Sequence, residues 1–146
     1  MEWYKDGFRV SDAREELDIN LVHEILRSMP WAEDVPRETV ARSIDQSLCL
    51  GVYKENEQVG FGRAITDRAT FAYLDDVFIV EAWRGVGLSK WLLSCFLEHP
   101  ELQGLRRWML ATTDAHALYK KKGFSALNSP EWFMEIYDPA GGRESI

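Results

Sequence analysis

The sequence predicts an α/β fold with a mixed sheet, an antiparallel meander followed by a parallel strand, helix and strand. Three observations support this prediction. Runs of β-branched and aromatic residues at 48–54, 59–65 and 71–80 are separated only by short polar turns. A further run at 108–112 follows an amphipathic helix. A strand in that position is expected to lie parallel to the strand before the helix, through a right-handed crossover.

The first third of the chain predicts one short strand and two helices. Residues 8–10 form the strand, and Asp18 can cap a helix whose apolar positions recur at helical spacing. A linker over 31–36 leads to a second helix, with Pro36 near its start. Trp31 in this linker is expected to pack against the core rather than cover a substrate, as large aromatic residues usually do.

The last third predicts two helices and two strands. The helix after the meander has an apolar face at i, i+3, i+4, i+7 and i+8, and His99-Pro100 ends it. After the strand at 108–112, Asp114 can cap a helix over 115–121, and a last strand is expected over 132–137. The expected organisation is a single domain over 1–137 with a frayed polar tail over 138–146.

Composition excludes several functional classes. The 146 residues carry a net charge of -7, which argues against a nucleic-acid partner. The beginning of the chain lacks a basic and apolar leader, and no run approaches membrane-spanning length, so we expect a cytoplasmic protein without a membrane partner. No Cys and His cluster has zinc spacing, and no metal is expected.

A glycine loop stands between the third strand of the meander and the next helix. Gly85 and Gly87 permit unusual backbone dihedral angles, and the helix start leaves N–H groups unpaired. Arg84, Ser89 and Lys90 add positive charge and a hydroxyl donor, so the expected ligand is a pyrophosphate. The alternative is a tight turn that packs the helix onto the sheet. The dinucleotide fingerprint and the P-loop are excluded, because neither spacing is present.

A second motif indicates a family. Residues 112–124 read Thr-Thr-Asp-Ala-His-Ala-Leu-Tyr-Lys-Lys-Lys-Gly-Phe. Together with Arg84-Gly85-Val86-Gly87, this stretch resembles the GCN5-related N-acetyltransferase (GNAT) family, whose members carry R/Q-x-x-G-x-G/A and a later A-x-x-L-Y-x-K-x-G-F-like segment. Ser89 stands at the last position of the first pattern. The predicted order of helices and strands is also similar to that of the family.

The resemblance implies an acetyl-CoA-dependent N-acetyltransferase with the cofactor in a cleft between two strands that splay apart. Backbone groups of Val77, Phe78 and Ile79 would contact the pantetheine arm and the thioester. The pyrophosphate would bind to the loop and helix start, namely Arg84, Gly85, Val86, Gly87, Leu88, Ser89 and Lys90. The acceptor would be a primary amine of a small molecule or peptide.

The resemblance also implies roles in the reaction. Tyr119 would lie near the sulfur of coenzyme A and protonate the leaving thiolate, and the N–H near Ile79 would stabilise the oxyanion. Thr112 stands where many members have asparagine. The general base is left open among Asp75, Asp76, Glu33 and water. Other readings are a catalytically silent module that binds CoA thioesters as a sensor, and a subunit of a complex. A homodimer is possible.

Overall fold

One mixed sheet organises the molecule. The computed structural model describes residues 1–141. The strands are β1 (Glu2–Lys5), β2 (Phe8–Ser11), β3 (Leu48–Lys54), β4 (Glu57–Thr66), β5 (Phe71–Ile79) and β6 (Arg107–Met109). They lie in chain order, and all neighbours are antiparallel except β5 and β6, which are parallel. The predicted fold class, a meander followed by a parallel unit, is confirmed.

Within residues 1–141 four α-helices accompany the sheet: α1 (Ile19–Arg27), α2 (Arg37–Asp45), α3 (Leu88–Glu98) and α4 (His116–Lys120). The predicted cap of α1 is present, because Asp18 Oδ1 accepts a hydrogen bond from the N–H of Leu21 at 3.1 Å. Pro36 stands at the N-cap of α2, as its fixed φ favours.

The helices cover the two faces of the sheet. Cys49 packs into a buried cluster with residues of α1 and α2, whereas its neighbours Leu48 and Leu50 pack into a cluster with α3. Because successive strand residues point to opposite faces, α1 and α2 lie on one face and α3 lies on the other. Gly62 lets α3 approach closely, since a Cβ there would lie 2.7 Å from the ring of Phe96.

The N-terminal part of the chain differs from prediction at two places. Strand β1 was not predicted; only Trp3 among its residues is half-buried, so the apolar alternation that marks a strand is missing. It pairs with β2 through a turn in which Gly7 has φ +82°. The prediction that Trp31 packs was wrong, because its side chain is 62% exposed.

The C-terminal part contains the larger correction. The strand predicted over 132–137 does not form; a short 3-10 turn at Pro130–Trp132 is followed by irregular chain. Its residues have strand propensity, yet within residues 1–141 they have no strand partner. The tail predicted over 138–146 is an exposed turn as far as residue 141, and residues 142–146 lie outside the described part.

None of the helices in residues 1–141 combines the length and the apolar character that a membrane crossing requires. The two cysteines, Cys49 and Cys95, are free and buried. Burial raises the pKa of each thiol to about 12.

Candidate active site

Strands β5 and β6 separate at one end of the sheet. They pair only at Phe71 with Arg107, Ala72 with Trp108, and Tyr73 with Met109. Beyond these pairs β5 continues to Ile79 and remains paired with β4 on its other side. The second half of β5 therefore presents an unpaired backbone edge towards the end of β6. This is the splay that the resemblance implies.

The backbone of Ile79 faces this cleft. The N–H of Val80 donates to the carbonyl of Val59 at 2.8 Å, and Ile79 is paired with Gly60. In an antiparallel pair, hydrogen-bonded and non-hydrogen-bonded positions alternate, so the N–H and C=O of Ile79 point away from β4. The carbonyl accepts from Arg84 Nε at 2.9 Å. The N–H is left directed at the cleft.

The side chains of Val77, Phe78 and Ile79 pack into the hydrophobic core. Phe78 is buried in the cluster under α1 and α2, while Ile79 is buried in the cluster under α3 and Val77 packs against it. What these residues can offer a cofactor is consequently their backbone groups, as the resemblance implies.

The glycine loop has the backbone conformation that its sequence predicts. Gly85 and Gly87 both have φ +86°, in the left-handed region, and a Cβ at either would meet no protein atom within 4 Å. Gly87 is the N-cap of α3 and supplies no capping side chain. The first N–H groups of an eleven-residue helix therefore stay available to an anion.

Three lysines stand at the same place. A cavity of about 310 Å³ is lined by Gly87, Lys90, Lys5, Lys122 and other residues. Lys5 comes from the end of β1, and Lys122 Nζ donates to Ser94 Oγ on α3 at 2.6 Å. The sequence did not indicate Lys5 or Lys122 as part of this site, because nothing in their local pattern connects them with the loop.

The remaining loop residues differ in their exposure to solvent. Val86 and Lys90 are exposed and Ser89 is half-buried, whereas Leu88 is only 6% exposed and belongs to the core. Leu88 can contact a pyrophosphate only through its backbone N–H. Arg84 is exposed, although its Nε is used by the carbonyl of Ile79.

Tyr119 lies on the wall of a second cavity, of about 350 Å³, with Leu110, Thr112 and His116. The ring is half-buried and makes an edge contact with Phe124, the ring centroids being 5.7 Å apart. Burial, followed by the charge of Asp114, raises the pKa of the phenol, so that it keeps its proton at neutral pH. The lining residues come from β6, the chain between β6 and α4, α4 itself and the chain after α4, and Val77–Ile79 are not among them.

Thr112 stabilises the turn that leads into α4. Its Oγ1 accepts a hydrogen bond from the N–H of Ala115 at 3.1 Å, whereas Ala115 rather than Asp114 stands at the N-cap of α4. The predicted Asp114 cap was therefore wrong. Threonine hydroxyls commonly accept hydrogen bonds from backbone N–H groups a few residues away in the chain, and Thr112 does so here.

Two of the candidate bases belong to a charged cluster on β4 and β5. Arg63 donates to Asp76 at 2.9 Å, to Asp75 at 3.2 Å and to Ser47 at 3.1 Å. The side chains of Arg63 and Asp76 are 12% and 9% exposed, and that of Asp75 is 34% exposed. Burial and the nearby carboxylate of Asp75 raise the pKa of Asp76 despite the arginine. Arg63 was not singled out in the sequence, since nothing in the pattern of its own strand indicates charged partners on the neighbouring strand.

The third candidate base, Glu33, is exposed and follows the 3-10 turn Pro30–Ala32 in the linker between α1 and α2. The structure thus brings Asp75 and Asp76 together beside Arg63, whereas Glu33 stands on the linker.

Asp12, His99 and Glu101 could in principle hold a metal ion, as their ligand atoms lie within 4.8 Å of one another. Both nitrogens of His99 are already used, however. Nδ1 accepts from the N–H of Glu101 at 3.1 Å, so Nε2 carries the proton and donates to Asp12 at 2.7 Å. This geometry describes a buried hydrogen-bonded link between the N-terminal hairpin and the end of α3.

Comparison with known families decides the classification. The model of the acetyltransferase (GNAT) family matches residues 5–124, which include the meander, the glycine loop and the Tyr119 motif. The chain belongs to the GNAT acetyltransferase family. The resemblance stated from the sequence is thereby confirmed. The match ends at Phe124, before the irregular C-terminal stretch.

Individual GNAT relatives agree with this assignment. A GNAT-family protein of Xanthomonas campestris pv. campestris is 47% identical and superimposes with a TM-score of 0.89 over 92% of this chain and 96% of its own. A protein of Gibberella zeae named as a candidate acetyltransferase is 33% identical over 82% of this chain and 79% of its own length.

Two more distant structures share the GNAT fold. Glucosamine-6-phosphate N-acetyltransferase from Arabidopsis thaliana is 16% identical with a TM-score of 0.66, over 90% of this chain and 99% of its own. An acetyltransferase structure from Clostridium acetobutylicum, solved with acetyl-CoA, is 14% identical with a TM-score of 0.64, over 89% and 94%.

Proposed function

We propose that this GNAT protein is an acetyl-CoA-dependent N-acetyltransferase that transfers an acetyl group directly to a primary amine of a small molecule or peptide. The observation that carries the proposal is the unpaired edge of β5, with the N–H of Ile79 directed into the cleft, next to an uncapped helix start. A pantetheine arm can pair with such an edge, and a pyrophosphate suits such a helix start.

The residues present fit acetyl-CoA. The cofactor would supply a thioester, whose carbonyl is the electrophile. Arg84, Gly85, Val86, Gly87, Leu88, Ser89 and Lys90 would hold the pyrophosphate, through backbone N–H groups and two cationic side chains. Lys5 and Lys122 line the same cavity as Gly87 and add positive charge in a protein whose net charge is -7. This local concentration of cations supports an anionic ligand here.

Each chemical step has a candidate residue. The N–H of Ile79 would donate to the oxygen of the attacked carbonyl, where negative charge develops. The phenol of Tyr119, protonated at neutral pH, would give its proton to the departing thiolate. Asp75, the more exposed acid of the Arg63 cluster, would accept the ammonium proton directly or through water.

Direct transfer is favoured over a covalent acyl-enzyme. Both cysteines are buried and their thiol pKa values lie near 12, so neither provides a thiolate at neutral pH. A cytoplasmic location, and the lack of nucleic-acid and membrane partners, stay predictions from the sequence.

A thiol-release assay tests the proposal. Acetyl-CoA is offered with a panel of small amines and peptides to the wild type, to Gly87→Glu and to Gly104→Glu. Gly104 has φ +75° and an open environment, so it matches Gly87 in strain but lies outside the site. We expect thiol release with some amine, lost in the Gly87 variant and retained in the Gly104 variant.

The assay also separates the alternatives. If acetyl-CoA raises the melting temperature but no amine supports thiol release, the protein is a sensor or a subunit that binds CoA thioesters. If acetyl-CoA neither binds nor is consumed, the proposal is wrong.

A further inference from the structure

The cavity beside α3 extends well past the start of the helix. Its volume is about 310 Å³, and along α3 it is lined by Gly87, Lys90, Ser94 and neighbouring residues. Ser94 follows Gly87 by seven residues, which corresponds to about 10 Å along the helix axis. The unpaired N–H groups of α3 lie only at its start. A ligand that fills the far part of the cavity must therefore be bound there by side chains.

Two lysines from other elements stand at this far part. Lys122 Nζ donates to Ser94 Oγ at 2.6 Å, which fixes the ammonium about two turns along α3 from the helix start. Lys5 lines the same cavity from the end of β1. Burial raises the pKa of the Cys95 thiol, whereas the charge of Lys5 acts in the opposite direction. Lys5 therefore lies near the residue that follows Ser94.

The charge of these lysines is not balanced by nearby acids. None of the ion pairs formed within residues 1–141 involves Lys5, Lys90 or Lys122. Among the described residues that line the cavity, Asp6 is the one acid, against three lysines. The protein as a whole carries a net charge of -7, so this local excess of positive charge differs from the rest of the chain. Such a concave basic surface attracts an anion along its whole length.

Coenzyme A carries two anionic groups that suit the two parts of the cavity. Its pyrophosphate is attached to a ribose, and the 3′ oxygen of this ribose bears a phosphate monoester. The monoester has a charge of about −1.5 to −2 at neutral pH and accepts charge-assisted hydrogen bonds from ammonium groups. With the pyrophosphate at the start of α3, the ribose can extend along the cavity and bring the monoester to Lys5 and Lys122.

We propose that Lys5 and Lys122 form a second anion site that binds the 3′-phosphate of the donor, and that this site makes the protein select thioesters of CoA over those of dephospho-CoA. The inference rests on the proposed use of acetyl-CoA and deepens it. Ser94 acts through Lys122, because its hydroxyl accepts the hydrogen bond that holds the ammonium in place. It is a positioning residue.

The two lysines differ in what else they do. The hydrogen bond between Lys122 and Ser94 also joins the end of α4 to α3, so Lys122 contributes to packing. The side chain of Lys5 is exposed, and within residues 1–141 it forms neither a hydrogen bond nor an ion pair. A substitution of Lys5 therefore removes positive charge from the cavity without removing a contact that stabilises the fold.

Isothermal titration calorimetry with CoA and with dephospho-CoA tests the proposal on the full chain. We expect the wild type to bind CoA about tenfold more tightly, because only CoA has the 3′-phosphate. Lys5→Gln should lower this ratio to about threefold, and Lys5→Gln with Lys122→Gln should lower it to about one. Both variants should weaken the binding of CoA and leave that of dephospho-CoA unchanged.

Lys121→Gln is the matched control. Lys121 belongs to the same run of lysines as Lys122 and is exposed, but it does not line the cavity. This variant should keep the ratio of the wild type. Higher salt concentration should lower the ratio of the wild type, since the additional contacts are between charges.

Several results would overturn the proposal. Equal affinities of the wild type for CoA and dephospho-CoA would do so and would leave the proposed function intact. A ratio that Lys5→Gln does not change would also do so, as would a loss of affinity in Lys122→Gln that is equal for the two ligands. If neither ligand binds, the proposed function is wrong as well.

Discussion

Arg63 on β4 and Asp76 on β5 form a buried ion pair of 2.9 Å at the place where the register between these strands shifts. Asp76 has φ +55°, a conformation that costs a non-glycine residue energy. The pair lies immediately before Val77, and so before the backbone edge that forms the candidate cofactor site. Arg63 therefore stabilises the β-bulge between β4 and β5, and the geometry of the unpaired edge of β5 depends on this bulge.

Removing the arginine should destabilise the fold. Arg63→Met leaves Asp76 buried without its partner, which costs about 3 kcal/mol of unfolding free energy. Urea denaturation measures this cost. In the double variant Arg63→Met with Asp76→Asn the uncompensated charge is absent, and we expect more than half of the loss to be recovered. Equal stability of the single and double variants would show that the loss comes from removal of the arginine itself and not from an uncompensated charge on Asp76.

The raised pKa of Asp76 predicts a pH dependence of stability. Burial and Asp75 raise the folded-state pKa above the ordinary value of 3.8, so the folded protein holds its proton more tightly than the unfolded chain. Stability contributed by this group is therefore present below pH 3.8 and lost as the pH rises through the folded-state pKa. The difference in unfolding free energy between Asp76→Asn and the wild type should shift in favour of the variant across this window. A constant difference would contradict the assignment.

Gly87 should affect both the stability of the protein and the binding of acetyl-CoA, and the two effects can be separated. Alanine at φ +86° costs about 1–2 kcal/mol, and the same cost applies to Gly104→Ala at φ +75°. Both variants should lose similar stability in thermal denaturation. Only Gly87→Ala should raise the KM for acetyl-CoA, by about tenfold, because only Gly87 stands at the start of α3. If Gly104→Ala raises KM equally, the effect is one of stability and not of the site.

Tyr119→Phe tests the proton donor. We expect kcat to fall about 100-fold, in the range usual for general acid catalysis, with little change in the KM for acetyl-CoA. Since burial raises the pKa of the phenol, its protonation should not limit kcat of the wild type between about pH 7 and 9. Tyr4→Phe, at an exposed tyrosine on β1, should keep full activity. An unchanged kcat in Tyr119→Phe would remove it from the mechanism.

The close approach of α3 to the sheet should leave no room for a side chain larger than that of glycine at position 62. Gly62→Ala places a Cβ 2.7 Å from Phe96, and overpacking of this kind costs about 1–3 kcal/mol. Addition of Phe96→Leu relieves the contact, so the double variant should lose less than the sum of the two single variants in chemical denaturation. Additive losses would show that the helix shifts freely.

Much of the fold was predictable because the spacing of apolar residues along the sequence indicates which side chains are buried. The meander consists of β-branched and aromatic runs between short polar turns, and α1 and α3 carry continuous apolar stripes, so their existence followed from the sequence. Strand β1 was missed because three of its four side chains are exposed. The segment 132–137 was assigned to a strand on propensity alone, and pairing, which propensity does not report, is what it lacks within the described chain.

In the candidate site, too, some features could be predicted from the sequence and others could not. The glycine loop was predictable, since its requirement is a local backbone conformation. The contributions of Lys5, Lys122 and Arg63 were not, because they arise from residues far apart in the chain that meet only after folding. Thr112 was noticed as a departure from the family pattern, but its hydrogen bond with the N–H of Ala115 required coordinates.

The short ladder between β5 and β6 also affects the order in which parts of the protein unfold. Strand β6 is joined to the sheet through three residue pairs, whereas β4 has long ladders on both sides. Local opening should begin where backbone pairing is sparsest, and therefore at β6 and the α4 region that follows it. Tyr119 and Thr112 would be released while the meander and α3 are still folded. On heating, the protein should lose its catalytic competence before it loses most of its secondary structure.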